Sequence, residues 1–108
     1  MSFLRRAVRR DDVESGIIRA LTGLGCSVQP LTGRGVPDLL VGFRGVNVLL
    51  ECKAPAKPGP RGGAKAGGLN DDQEKWHREW RGATPAIARS AAEAIAAVLN
   101  AAGIETAP

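Results

Sequence analysis

Tyrosine is absent from this chain, and aromatic residues make up only 4% of its 108 positions. So thin an aromatic complement argues against a stacking platform for single-stranded nucleic acid, which needs rings for the bases to lie on. Cysteine occurs twice, as Cys26 and Cys52, too few for a disulfide framework. Together with a single histidine, His77, they do not supply the four ligands of a structural zinc site. No apolar run approaches the ~20 residues of a membrane-spanning helix. The basic start of the chain is not followed by the apolar stretch of a signal peptide. What remains is a chain of one-domain length with 44% hydrophobic residues, enough for a core of modest stability. The expectation is a soluble, cytoplasmic protein without a membrane partner.

Positive charge outweighs negative by 4, and it is unevenly placed. Arg5, Arg6, Arg9 and Arg10 fall in the first ten residues with no acid among them. Lys53, Lys57, Arg61 and Lys65 fall in a second acid-free stretch, which runs from Lys53 to Asn70. Two basic segments on a small domain suggest a polyanionic partner, DNA or RNA, although basic tails also serve solubility alone.

The expected organisation is a basic arm over 1–10, one domain over 11–103 and a short tail over 104–108. Residues 11–25 read as a helix, with Val13, Ile17, Leu21 and Leu24 as its apolar stripe, Asp11 and Glu14 as a capping box and Gly25 as its end. Residues 26–31 read as an edge strand closed by Pro30. Asp38–Phe43 and Val46–Lys53 are strong strand signals around Arg44-Gly45, a short hairpin. Residues 54–70, with three Pro and five Gly, read as a flexible loop in which nothing packs. Asn70 caps a helix over 71–82, residues 84–89 form a strand, and Ser90 with Glu93 opens a last helix that Gly103 ends. The predicted fold is α/β (α+β), in the order α-β-β-β-α-β-α with a mixed central sheet.

The hairpin has chemical content. A two-residue loop pairs Phe43 with Val46, Val41 with Val48, Leu39 with Leu50 and, one step beyond, Asp38 with Glu51. Opposed residues have Cβ atoms ~4.5–5.5 Å apart, so two carboxylates there repel each other unless something lies between them. One face of the hairpin, Leu39 to Cys52 by alternate residues, is wholly apolar and must be core. The other ends in Asp38, Glu51 and Lys53. A divalent cation with oxygen ligands relieves the repulsion, and a neighbouring lysine can orient or deprotonate a water, the parts needed for attack on a phosphodiester. Glu51 and Lys53 as an ordinary solvent-facing pair, with Asp38 capping the turn after Pro37, is the bland alternative.

Gly35-Val36-Pro37-Asp38, with Glu51-Cys52-Lys53 starting thirteen positions after Asp38, resembles the PD-(D/E)xK nuclease signature. The spelling, with Glu14 on the preceding helix and Gln73 and Trp76 on the following one, is similar to the VRR-NUC family of that superfamily, over about residues 11–100. The resemblance implies a restriction-endonuclease-like core and a stand-alone, phage or bacterial protein of the Holliday junction resolvase type, a homodimer. It implies that Asp38, Glu51 and the backbone carbonyl of Cys52 bind Mg²⁺ or Mn²⁺, with Glu14 reaching the metal directly or through water. Lys53 would position the attacking water, and Gln73 would stand near the scissile phosphate. Glu14 and Gln73 each keep a second reading, as members of capping boxes with Asp11 and Asn70.

The function expected is metal-dependent endonucleolytic hydrolysis of DNA, selective for branched, flap or Holliday junction structures, in repair, recombination or phage replication. Arg5, Arg6, Arg9, Arg10, Arg34, Lys57, Arg61 and Lys65 are the candidate DNA-binding residues, acting through sequence-independent phosphate contacts. A non-catalytic DNA-binding module on the same scaffold and a basic domain that binds another protein are the competing readings. The side chains of Cys26 and Cys52 read as core, His77 as a surface histidine, and Trp76 with Trp80 as a core or dimer contact.

Overall fold

The structure, a computed structural model, describes residues 10–55 and 68–104. Its elements are α1 (Arg10–Leu24), β1 (Ser27–Pro30), β2 (Leu39–Phe43), β3 (Val46–Cys52), α2 (Asp71–Glu79), β4 (Ala86–Ala88) and α3 (Ala91–Ala101). The strands form one sheet in the order β1-β2-β3-β4. The first three are antiparallel neighbours, and β4 runs parallel to β3. This is the mixed α+β sheet the sequence predicts. Among the described residues no helix is long and apolar enough to cross a membrane.

Local chemistry sets the hairpin. Arg44 and Gly45 both have positive φ, 51° and 81°, as a type I′ turn requires. The register follows: Phe43 faces Val46, Val41 faces Val48 and Leu39 faces Leu50. The apolar alternate residues Leu39, Val41, Leu50 and Cys52 are fully buried against Ile17 and Leu21 of α1 and Ala94 and Val98 of α3. Each such side chain contributes ~1.5–3 kcal/mol by leaving water. Helix α2 lies over the opposite face, where Trp76 and Trp80 stack at 4.6 Å between ring centroids above Leu31, Leu40 and Leu49. These residues line a groove of about 430 Å³, and Trp80 is 47% exposed at its rim.

Several boundaries differ from expectation for identifiable reasons. Helix α1 begins at Arg10, so Asp11 lies inside its first turn rather than ahead of it. Helix α2 stops at Glu79 because Trp80 turns extended (φ −70°, ψ 127°), its N–H still bonded to the Trp76 carbonyl. Ser90 caps α3 by accepting from Glu93 N at 3.1 Å. The reciprocal bond is displaced, since Glu93 Oε1 accepts from Arg89 N at 2.8 Å and so reaches one residue beyond the cap. Leu69, within the stretch expected to pack nothing, is buried.

Candidate active site

The site grows from the open end of the hairpin. Pro37 is fully buried and fixes the chain as it enters β2. Gly35, at φ 76°, passes so close to α2 that a Cβ there would lie 2.5 Å from the Asp72 carbonyl oxygen. The next polar residue, Asp38, is pinned from both sides. Its carbonyl accepts from Leu31 N at 2.9 Å, and its Oδ2 accepts from Cys52 N at 2.7 Å. Asp38 thus ends the β2–β3 ladder with its side chain: the carboxylate takes the N–H that a backbone carbonyl would otherwise bond.

That bond draws the Asp38 carboxylate toward α1. Carboxylate oxygens of Glu14 and Asp38 and the sulfur of Cys52 all lie within 4.8 Å of one another, with both acids half-buried and Cys52 buried. Glu14 therefore points into the site, as its place beside the buried stripe of α1 suggests. The Cys52 side chain is core, as expected, yet its sulfur borders the acidic pair.

Glu51 is 0% exposed, which rules out the solvent-facing alternative. Its carboxylate meets α2: Oε1 accepts from Gln73 Nε2 at 3.3 Å, and Oε2 lies 3.0 Å from His77 Nε2. Gln73 links its capping box to Lys53 and Glu51. Its backbone N–H and side chain complete the capping box with Asn70. Its Oε1 also accepts from Lys53 Nζ at 2.6 Å, so one amide joins Lys53 to Glu51.

The sequence reading set Asp38, Glu51 and Lys53 on one face. The structure places Glu14 and Asp38 by the Cys52 sulfur and holds Glu51 and Lys53 through Gln73. Asp38 is held at its place by the bond from Cys52 N.

His77 is the site residue that the sequence reading missed. Its side chain is only 10% exposed. Burial, and then the positive charge of Lys53, lower its pKa from the ordinary 6.5. The available signal was spacing: His77 is four residues from Gln73 and so shares its helix face.

Of the candidate DNA contacts, Arg34 is 86% exposed beside Asp72, at 3.6 Å. Arg5, Arg6, Arg9, Lys57, Arg61 and Lys65 lie outside the described residues, as does the side chain of Arg10. Cys26 and Cys52 are both free and buried, and burial pushes the Cys26 thiol up.

Two carboxylates brought this close form an oxygen-rich donor set of the kind that Mg²⁺ or Mn²⁺ takes, so the residues fit such an ion. The adjacent ammonium of Lys53, steadied by Gln73, adds a positive donor group at the same end of the sheet. Comparison of the chain with family models, curated proteins and solved structures finds no match.

Proposed function

We propose that the protein is a metal-dependent DNA endonuclease that hydrolyses phosphodiester bonds. One observation carries this reading. A single hairpin end brings the Glu14–Asp38 pair beside a Lys53–Gln73–Glu51 network, in a chain with PD…ExK spacing. Asp38 and Glu14 would hold Mg²⁺ or Mn²⁺, with Glu51 and the Cys52 carbonyl as the resemblance implies. The chemistry gained with the ion bound is Lewis-acid stabilisation of charge on the phosphate and the leaving oxygen.

The chain's own residues do the rest. Lys53 has three N–H donors, and Gln73 engages one of them. A water or a phosphate oxygen takes another, so that Lys53 orients the attack or neutralises the charge that develops. The basic segments 1–10 and 54–70 would grip backbone phosphates without reading sequence, which suits selection of a branch, flap or four-way junction by shape. A homodimer acting in the cytoplasm of a bacterial or phage-infected cell would set two such sites on two strands.

A second reading, a DNA-binding module that does not cut, is favoured by the engagement of both Glu51 oxygens with α2. The test is cleavage of labelled four-way junction, flap and linear duplex DNA with Mg²⁺, Mn²⁺ or EDTA, wild type beside Glu51→Gln and Lys53→Ala. Metal-dependent cutting lost in both variants supports the nuclease. Intact binding without cutting of any substrate supports the module.

A further inference from the structure

Glu51 is a fully buried carboxylate, and both of its oxygens are met from one helix, by residues four apart: Gln73 at Oε1 and His77 at Oε2. A carboxylate that holds a cation is ionised and only accepts hydrogen bonds, so in that role Glu51 takes its bond from His77 Nε2 and leaves Nδ1 as the acceptor. With Nε2 facing Glu51 and the ring 10% exposed, the imidazole is committed to Glu51 and is not a base open to water or substrate. Trp76 stands edge-on to the ring, with centroids 6.4 Å apart. The ring and Gln73 together fix where the carboxylate points.

We propose that His77 is a positioning residue for Glu51, and that through it His77 sets the affinity of the site for a divalent cation. This rests on the nuclease reading, in which Glu51 is a metal ligand. Ligand carboxylates are themselves held by hydrogen bonds, and loss of such a partner typically costs 10–100-fold in metal affinity. Without the His77 donor, the buried Oε2 loses its compensation, and the carboxylate no longer keeps its orientation.

The test is a Mn²⁺ titration followed by the EPR signal of the free ion, on wild type, His77→Phe, His77→Gln and Asp38→Asn. Thermal unfolding of each in EDTA checks the fold. Phe keeps the ring volume without the donor, whereas the Gln amide can restore one. The expected result is Mn²⁺ binding that depends on Asp38 and is weakened about 10–100-fold in His77→Phe, with His77→Gln within a few-fold of wild type. Where His77→Phe does not fold, His77→Asn, too short to reach Oε2, takes its place. If wild type and the donor-less variant bind Mn²⁺ equally, or the variant binds it more tightly, the positioning role is overturned and the nuclease reading stands. If wild type shows no Asp38-dependent binding, both fall. A merely structural histidine would lower the melting temperature and leave the Mn²⁺ midpoint unmoved.

Discussion

The side-chain oxygen of Gln73 accepts from Lys53 Nζ at 2.6 Å while also accepting from Asn70 N at 3.0 Å. One atom thus ties the start of α2 to the lysine of the ExK triplet. A capping interaction, ordinarily a matter of helix stability, here sets the position of a cation in the site.

Removing the two members of this capping box should therefore have different consequences. Asn70→Ala loses the cap alone and should cost about 1 kcal/mol of stability, with cleavage within a few-fold of wild type. Gln73→Ala loses its half of the box together with the bonds to Lys53 and Glu51. It should lower cleavage by about tenfold or more at saturating metal, since Lys53 no longer has a fixed place. Denaturant unfolding beside single-turnover cleavage separates the two effects.

Lys53→Met keeps the length and apolar stem of the side chain and removes its charge. Cleavage should fall by about 10²–10³-fold, the range for loss of a charge-stabilising donor. Binding of duplex DNA should weaken only slightly, because the nuclease reading assigns most phosphate contacts to the basic segments 1–10 and 54–70. A filter-binding titration with the same variant checks the second half of this prediction.

His77 gives a pH dependence with a definite sign. Its folded pKa lies below the ordinary 6.5 because burial, and then Lys53, disfavour the imidazolium. Between the two values the unfolded chain binds a proton that the folded chain does not. The stability carried by neutral His77 is therefore fully present above the unfolded pKa and is lost as pH falls through the folded one. Melting temperatures in EDTA should drop below about pH 6.5, and His77→Gln should flatten that part of the profile. His77 is the sole histidine, so its NMR titration is unambiguous. Its midpoint should lie below the ordinary value and rise in Lys53→Met.

Gly35 should not tolerate a side chain. It sits at φ 76°, and an added Cβ would meet the Asp72 carbonyl at 2.5 Å. Gly35→Ala should destabilise the fold by roughly 1–3 kcal/mol and displace the loop that delivers Asp38. Chemical denaturation with cleavage at saturating metal measures both.

Much of this geometry was legible in the sequence because it is local. Alternating apolar residues around Arg44-Gly45 specify the hairpin and its register, and with them the apolar face of the sheet. Glu14 was legible from its place beside the α1 stripe, and Gln73 from its spacing after Asn70. What escaped depends on how elements meet. The role of His77 follows from α2 lying over the second face of the sheet, which the periodicity of an isolated helix does not reveal. The approach of the Asp38 carboxylate to Glu14 of α1 also depends on how α1 meets the sheet. Burial of Leu69 likewise needs the fold, since its neighbours in sequence are Gly67, Gly68, Asn70 and Asp71.

The most direct test of the account is a pair of measurements on one labelled four-way junction in Mn²⁺, binding and cutting, for wild type and Asp38→Asn. Asp38→Asn keeps the shape of the side chain and an oxygen for the Cys52 N–H, while removing the charge that would hold the ion. The account predicts that both proteins bind the junction alike and that only wild type cuts it. Cutting by Asp38→Asn at the wild-type rate, or binding without cutting by wild type, would contradict it.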